Sequence, residues 1–270
     1  MLKIESLFKT FHAHTVNEVR ALRDVSLTME EGSFTAVIGT NGSGKSTLLN
    51  AVAGTFFVDR GRISLDGHDI TAWPEHRRAS LIGRVFQDPF AGTAPDMTIA
   101  ENIAIAMKRG LRRSLRPAVT RAFRDRVADR VRTLRMGLED RLDNPIGALS
   151  GGQRQALTLL MAVWTRPRLL LLDEHTAALD PKSAAKVAEL TKTIIDREKL
   201  TALMVTHSMQ QAVDLPDRVI MMHRGAIVED YQQERKQRVR VPDLMATFDR
   251  VQKRDLFDES VAGLLERQYC

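Results

Sequence analysis

The sequence predicts an α/β fold built on a mostly parallel sheet, with an antiparallel β region near the amino terminus and an inserted helical segment. Two apolar runs, residues 33–38 and 169–172, have strand length and little or no alternation of polar and apolar residues. Such strands are buried on both faces, as parallel strands are. Between residues 88 and 150 the strand pattern disappears and apolar residues recur every three or four positions, which indicates helices over residues 98–107 and 115–134.

The first predicted strand leads into a phosphate-binding pattern, Gly-x4-Gly-Lys-Ser, over residues 39–46. Gly42 and Gly44 allow backbone N–H groups to approach phosphate oxygens, and Lys45 supplies an ammonium for the terminal phosphates. An unoccupied glycine turn is the alternative, but the strand before the loop and the helix expected after it favour a nucleotide. The predicted nucleotide-binding residues are Gly39, Thr40, Asn41, Gly42, Ser43, Gly44, Lys45, Ser46 and Thr47.

Two carboxylates, Asp173 and Glu174, end the second apolar run. The carboxyl ends of parallel strands face the ligand crevice of an open α/β sheet. Side chains alternate across a strand, so we expect different roles for the two acids. Asp173 is predicted to bind Mg²⁺ together with Ser46, and Glu174 to act as general base toward a water molecule. A solvated strand end with two surface acids is the alternative.

The pentapeptide Leu-Ser-Gly-Gly-Gln at residues 149–153 reads as a helix start. Ser150 as N-cap and Gln153 three residues later form a capping box, and the two glycines leave bare N–H groups at the positive end of the helix. Anionic phosphate is therefore a possible ligand. The helix that follows has Ala156, Leu159, Leu160 and Val163 on one face, and the alternative is a capped core helix that binds nothing.

In their order along the chain, these motifs resemble those of ATP-binding subunits of bacterial ABC transporters, and the resemblance spans nearly the whole sequence. It implies a P-loop NTPase fold with a RecA-like core. Residues 83–89 and 173–181 are similar to those of a subgroup of amino-acid and organic-solute uptake systems. His175 departs from the proline common in the family, with a looser backbone expected, and Ala177 from a common serine.

The resemblance assigns roles to residues that are uninformative singly. His207 corresponds to the switch histidine near the γ-phosphate, and Gln87 to the glutamine that contacts Mg²⁺ and the attacking water. Asp180 corresponds to the loop that crosses a dimer interface, and Phe11 to the aromatic residue that stacks on adenine. The pentapeptide at residues 149–153 corresponds to the family's signature motif. The family also implies that the signature residues Ser150, Gly151, Gly152 and Gln153 of one subunit cover the nucleotide bound by the other.

The implied function is an ATP-hydrolysing motor, with ATP and Mg²⁺, that couples closure of a head-to-tail homodimer to solute translocation. Its expected partners are membrane permease subunits and an extracytoplasmic solute-binding protein, and nucleic acid is not expected. Uptake is favoured over export because no membrane helices are fused to the cassette. The alternatives are an exporter subunit, an ATP-dependent clamp in translation or DNA maintenance, and a binding module with a silent site.

Composition agrees with a cytosolic chain, placed by its permease at the cytoplasmic face of the inner membrane. No run approaches the roughly 18 apolar residues of a membrane span, no secretory signal begins the chain, and Cys270 is the only cysteine. A metal site on His12 and His14 is conceivable, but no further ligand is nearby in sequence.

Charge and apolar spacing suggest a division of the chain. Residues 1–235 are predicted to form the ATPase domain, with a core over 1–87 and 151–235, a helical subdomain over 88–150, and a short helical tail over 236–270. In the subdomain, residues 108–135 hold eleven Lys or Arg and two acids, a net charge of +9, so the remainder of this chain of net charge +6 carries −3. A solvated helix face, a membrane or permease contact and nucleic acid are all compatible with that charge.

Overall fold

The computed structural model describes residues 1–110, 118–251 and 253. Its strands are β1 (Leu2–Phe11), β2 (Val19–Met29), β3 (Phe34–Gly39), β4 (Arg60–Leu65), β5 (His68–Asp69), β6 (Ile82–Val85), β7 (Leu169–Asp173), β8 (Ala202–Val205), β9 (Arg218–His223) and β10 (Ala226–Tyr231). Its helices are α1 (Lys45–Ala53), α2 (Glu75–Arg78), α3 (Ile99–Met107), α4 (Arg121–Arg132), α5 (Gly151–Val163), α6 (Pro181–Glu198), α7 (Met209–Asp214) and α8 (Gln233–Arg238). Residues 241–251 are also helical.

The strands form two sheets. The larger has the order β10-β9-β3-β8-β7-β6, in which β9, β3, β8, β7 and β6 are parallel and β10 is antiparallel to β9. The smaller sheet, β2-β1-β4-β5, is antiparallel. The predicted α/β fold class, a mostly parallel sheet with an amino-terminal antiparallel region and inserted helices, is therefore confirmed.

Burial of β7 on both faces explains its continuous apolar sequence. Leu169 and Leu171 pack in one hydrophobic cluster with α1 and the smaller sheet, whereas Leu170 and Leu172 pack in a second cluster on the opposite face. A strand with one solvated face would alternate instead. Asp173 continues the side of Leu169 and Leu171, which is the side of α1.

Helix α5 is buried more completely than its sequence pattern suggested. The predicted apolar face comprised Ala156, Leu159, Leu160 and Val163, and all four are buried. The helix also buries Leu157 and Met161, because it lies between the larger sheet and the helices α3 and α4 and contributes to a hydrophobic cluster on each side. A helix between two cores has no solvent-facing stripe, so its periodicity is weak.

The second helix of the subdomain is shorter than the sequence suggested. A helix was predicted over residues 115–134, of which 115–117 lie outside the described residues. Residues 118–120 are not helical, and α4 begins at Arg121, where the Thr120 hydroxyl caps the helix by accepting a bond from Phe123 N at 3.2 Å. The predicted start was wrong because apolar spacing does not show where a capping residue begins the helix. The apolar face was predicted correctly, since Phe123, Val127 and Val131 are buried.

The predicted carboxyl-terminal helical tail lies only partly within the described residues. Leu244 is fully buried in the second hydrophobic cluster, and Phe248 packs against that cluster. The Tyr231 hydroxyl lies 2.9 Å from Thr247 Oγ1, which joins β10 to this helix. Leu256, Val261, Leu264 and Leu265 lie outside the described residues.

A buried arginine holds the carboxyl end of α1, the helix that follows the phosphate-binding loop. Arg78 is 1% exposed and donates to the carbonyls of Ala51 at 2.7 Å and Val52 at 2.9 Å, as well as to those of Thr71 and Trp73. Burial lowers its pKa to about 10, so the guanidinium remains charged at neutral pH. The positive charge complements the negative end of the helix dipole.

We expect Arg78→Met to lower the free energy of unfolding by about 3 kcal/mol or more, because buried carbonyls would lose their donors. Equilibrium unfolding in urea measures the change. The matched control is Arg77→Met, since Arg77 is exposed and lies over the Trp73 ring, and it should cost less than about 1 kcal/mol. A stability loss for Arg78→Met no greater than that of the control would contradict the capping role.

Candidate functional site

The sequence motifs meet at one edge of the larger sheet. The phosphate-binding loop follows β3, His207 follows β8, Asp173 and Glu174 end β7, and Gln87 follows β6. These four strands are parallel and adjacent in the order β3-β8-β7-β6. Residues far apart in sequence thus share the carboxyl edge of the sheet, where open α/β sheets bind ligands.

The phosphate-binding loop has backbone geometry that only glycine adopts readily. Gly39 has φ +152°, and a Cβ there would lie 2.1 Å from the carbonyl oxygen of Met222. Gly44 has φ +100°, and a Cβ there would lie 2.5 Å from the carbonyl oxygen of Ala21. The loop can therefore fold back against its neighbours and lead directly into α1, whose N-cap is Gly44.

Lys45 lies within the loop and points its ammonium at backbone carbonyls. Its Nζ donates to the carbonyl oxygens of Gly39 at 3.0 Å and Thr40 at 2.8 Å. Burial lowers the pKa of Lys45, while the negative charge of Glu174 raises it by a smaller amount. An incoming triphosphate offers this partly desolvated cation anionic oxygens in place of neutral carbonyls.

Glu174 and His207 form the closest pair at the sheet edge. His207 Nε2 lies 2.5 Å from Glu174 Oε1, and the Glu174 side chain is largely buried whereas the imidazole is about half exposed. Glu174 has φ +42°, a strained conformation for a residue with a Cβ, and its N–H donates to the Val205 carbonyl of β8. The strained backbone turns Glu174 away from the direction of Asp173 and toward the histidine after β8.

Ser46 and Asp173 are the predicted donors for a metal ion. In the parts of the chain that the structure describes, no cluster of three or more His, Cys, Asp or Glu could hold a metal ion, which includes the surroundings of His12 and His14. Mg²⁺ typically uses one or two protein oxygens together with waters and substrate phosphates. One hydroxyl and one carboxylate fit that requirement. Gln87 is exposed two residues after the end of β6.

The signature residues adopt the predicted capping box at the start of α5. Gln153 N donates to Ser150 Oγ at 3.3 Å, and Ser150 N donates to Gln153 Oε1 at 3.3 Å. Gly152 packs so closely on α6 that a Cβ would lie 2.9 Å from Ser183, and a Cβ on Gly151 would lie 3.2 Å from Leu179. Gln153 Nε2 also donates to the Met136 carbonyl at 3.4 Å, so within this subunit the motif contacts α6, the loop before it and the segment after α4.

Asp180 also caps a helix. Its Oδ1 accepts bonds from Lys182 N at 3.1 Å and Ser183 N at 3.0 Å, at the start of α6. The hydrogen bonds with Ser183 lower the pKa of Asp180. Because Ser183 also contacts Gly152, the interface loop predicted around Asp180 and the signature motif lie side by side in one subunit.

Phe11, predicted to stack on adenine, is at the end of β1 and is partly exposed. It packs edge-on against Phe56, with ring centroids 5.2 Å apart. Lys9 Nζ lies 5.4 Å from both centroids and forms a 2.9 Å ion pair with Asp59. The sequence reasoning missed Phe56; an aromatic residue soon after α1 was the available signal.

His175, immediately after Glu174, is buried and hydrogen-bonded, so no loose segment follows the proposed base. Its Nε2 lies 3.0 Å from Thr191 Oγ1, and that hydroxyl donates to the Val187 carbonyl at 2.8 Å. The hydroxyl proton is thus committed, and Nε2 must be the donor in the imidazole–threonine bond. Burial lowers the pKa of His175 to about 4, which keeps the ring neutral at physiological pH.

We expect His175 to make the protein less stable as the pH falls from about 6.5 toward 4. In that range the unfolded chain binds a proton that the folded chain excludes, so the free energy of unfolding decreases by at most about 1.4 kcal/mol per pH unit. Urea unfolding at pH 7.5 and pH 5 should show a smaller decrease for His175→Gln than for the wild type. The exposed control His14→Gln should keep the wild-type dependence, and an equal decrease in all three proteins would contradict this assignment.

Arg84 is a further site residue that the sequence reasoning passed over. It lies on β6, and its guanidinium contacts the side chains of Asp173, Asn50 and Thr55. The available signal was a charged residue inside a short apolar strand directly before the phenylalanine and glutamine at residues 86 and 87.

Comparison with known proteins identifies the family. Residues 22–177 match the ABC transporter family. The chain is 39% identical over 249 residues to the tyrosine transport ATP-binding protein of Clostridioides difficile, covering 92% of this chain and 99% of that protein. It is 37% identical to the sulfate/thiosulfate import ATP-binding protein CysA 2 of Agrobacterium fabrum and 34% identical to the spermidine/putrescine import ATP-binding protein PotA of Haemophilus influenzae. The matches cover 84% and 85% of this chain but only 62% and 57% of those longer proteins.

Solved structures of similar proteins are ATP-binding cassettes. A dimeric post-hydrolysis state of the cassette MJ0796, bound to ADP and Pi, superposes with a TM-score of 0.73 at 26% identity, over 86% of this chain and 98% of that one. The ADP conformation of MJ1267, a cassette of an ABC transporter, has a TM-score of 0.73 at 27% identity, over 87% and 92% of the two chains. The family match over more than half of the sequence, with a relative spanned almost completely, establishes that this chain belongs to the ABC transporter family as an ATP-binding subunit, an ATPase.

Proposed function

We propose that this chain is the ATP-hydrolysing motor of an importer that takes up an amino acid or a related organic solute. The observation that carries the motor assignment is the convergence of Lys45, Asp173, Glu174 and His207 on one sheet edge. The relatives named for tyrosine transport, sulfate import and spermidine import support uptake as the direction. The amino-acid class rests on the first of these, which this chain matches over nearly its whole length.

In the proposed reaction Glu174 accepts a proton from a water molecule as the water oxygen bonds to the γ-phosphorus of ATP. The bond from that phosphorus to the bridging oxygen breaks, and ADP and phosphate are released. His207 orients the Glu174 carboxylate through their 2.5 Å contact and reaches the γ-phosphate from its exposed edge. Lys45 exchanges its bonds to the Gly39 and Thr40 carbonyls for phosphate oxygens.

Magnesium is the proposed metal, which the Ser46 hydroxyl and Asp173 would hold, with Gln87 as a further contact. When bound, it neutralises charge on the terminal phosphates. Phe11 is the proposed contact for the adenine ring. These assignments follow the family motif residue by residue, and the oxygen donors present are of the type that Mg²⁺ prefers.

Closure of a homodimer is the proposed conformational change that drives solute translocation. The Ser150 hydroxyl and the N–H groups of Gly151 and Gly152 bind the γ-phosphate held by the other subunit, with Gln153 and Asp180 at the interface. The dimeric cassette structures similar to this chain support such a pairing. Since ATP contacts both subunits only in the closed form, its binding favours closure, and hydrolysis removes the bridge.

The proposed partners are membrane permease subunits and an extracytoplasmic solute-binding protein. The association places the chain at the cytoplasmic face of the membrane, as a peripheral subunit. Within the part of the chain that the structure describes, no helix has both the length and the apolar character to cross a bilayer. We also propose the division into a core at 1–87 and 151–235, a helical subdomain at 88–150, and a tail at 236–270.

The test is purification of the tagged chain with its partners from detergent-solubilised membranes, followed by reconstitution of the complex in liposomes. We expect a permease to copurify, and ATP hydrolysis to rise when the cognate binding protein carries an amino acid. A complex with ribosomes or DNA-repair proteins would contradict the transport assignment. Movement of solute away from the cytoplasmic side would contradict the uptake direction, but not the transport assignment.

A further inference from the structure

Arg84 connects the two elements that carry the proposed metal donors. Its Nη2 donates to Asn50 Oδ1 on α1 at 2.5 Å and to Asp173 Oδ2 on β7 at 3.3 Å. Its Nη1 lies 3.3 Å from Thr55 Oγ1, just after α1. The side chain is only 14% exposed, so these contacts form in a largely desolvated space, where charge-assisted hydrogen bonds are stronger than in water.

The register of the sheet explains how Arg84 reaches Asp173. Arg84 pairs with Leu171 in the parallel register of β6 and β7, and paired residues project from the same face. Asp173, two residues after Leu171, projects from that face as well. This face is covered by α1, because Leu171 packs in the same cluster as Leu48 and Leu49.

Asn50 lies one helical turn after Ser46, a proposed metal donor, on the same side of α1. Ser46 and Asn50 are four residues apart on α1, and residues at this spacing lie one above the other on a helix surface. A bond that fixes Asn50 relative to Asp173 therefore also fixes the position of the Ser46 hydroxyl relative to the Asp173 carboxylate.

We propose that Arg84 is a positioning residue for the metal site, which sets the separation of Ser46 and Asp173 by bridging Asn50 and Asp173. The proposal rests on the proposed function, since it takes Ser46 and Asp173 as the metal donors. Because Arg84 donates to Asp173 Oδ2, Oδ1 is the oxygen that would be available to a metal ion or its water. Groups that orient metal ligands in this way typically change metal affinity by about 10- to 100-fold when they are removed.

The guanidinium is held by its neighbours in one orientation. Its Cζ lies 4.5 Å from the centroid of the Phe86 ring, and Nη1 lies 3.9 Å from a carboxylate oxygen of Glu75. The Nε atom is buried and has no hydrogen-bond partner among the described residues, so both bridging contacts depend on Nη2. Lysine also carries its donors on one nitrogen and can keep part of the bridge, but it loses the separate Nη1 contact with Thr55 and the planar group over Phe86.

The test measures metal dependence of nucleotide binding without turnover. The full-length chain carrying Glu174→Gln is titrated with a fluorescent ATP analogue in EDTA, and the bound complex is then titrated with MgCl2. When Arg84→Met is added to Glu174→Gln, we expect the affinity for the analogue in EDTA to stay within about twofold. The Mg²⁺ concentration that gives half of the Mg²⁺-dependent fluorescence change should rise about tenfold or more. Arg84→Lys should give a smaller rise. The exposed control Arg62→Met should give none.

Two further variants separate this inference from the metal assignment. Ser46→Ala and Asp173→Asn should each raise the half-saturating Mg²⁺ concentration. Suppose that both donor variants raise this concentration. A folded Arg84→Met protein with an unchanged or lower half-saturating Mg²⁺ concentration would then overturn the positioning role of Arg84, while the metal site would stand. If neither donor variant changes the Mg²⁺ dependence, the proposed metal site fails and the inference fails with it.

Discussion

Glu174→Gln is expected to retain ATP binding and to lose about 10²- to 10⁴-fold in the rate of ATP hydrolysis. The amide has nearly the shape of the carboxylate but cannot accept the proton of the attacking water. ATP should therefore remain bound, and the closed dimer should accumulate because its opening depends on hydrolysis. Phosphate release under saturating ATP measures the rate, and size-exclusion chromatography with ATP measures the dimer.

A control for this substitution is available in the same acidic pair. Asp173→Asn removes a proposed metal donor, so its defect should depend on the Mg²⁺ concentration, whereas the defect of Glu174→Gln should persist at saturating Mg²⁺. Near-normal turnover by Glu174→Gln would refute the role of Glu174 as general base.

Lys45→Ala is expected to weaken ATP binding itself by about 10- to 100-fold, because the loop loses its charge-assisted bonds to the terminal phosphates. The structure adds a physical reason: Lys45 Nζ is only 3.0 Å and 2.8 Å from neutral carbonyls, and its pKa is lowered by burial, so anionic phosphate gives this cation a better partner. Isothermal titration with ATP in EDTA separates this effect from metal binding.

The matched control is Lys3→Ala, since Lys3 lies on β1 and pairs with Glu5 at the surface. Its affinity for ATP should equal that of the wild type. An unchanged affinity in Lys45→Ala would count against the phosphate-binding role of residues 39–46.

The parallel core could be predicted because its strands are buried on both faces. The apolar runs at residues 33–38 and 169–172 both form interior strands, and the glycine pattern after β3 requires a strand before it and a helix after it. The beginning of α4 could not be predicted from periodicity, because the Thr120 cap and not the apolar spacing decides where that helix begins. Local hydrogen bonds of this kind leave little trace in hydrophobic patterning.

Within the site, the motif residues could be proposed from sequence because backbone conformation and charge demand particular residue types. The supporting contacts were not. Arg84 reaches Asp173 only through the register of β6 with β7, Arg78 meets the end of α1 from across a turn, and His175 is anchored by Thr191 on another helix. Each of these partners is distant in sequence, and a single sequence does not reveal which distant side chains meet.

The central claim is that each nucleotide site is completed by a second copy of the chain. It is tested most directly by a structure of the Glu174→Gln protein with ATP and Mg²⁺. We expect a dimer with two ATP molecules, in which Lys45 of one subunit and Ser150 of the other lie within hydrogen-bond distance of the same γ-phosphate. A dimer, or a monomer saturated with ATP, in which residues 149–153 lie far from every triphosphate would contradict the account.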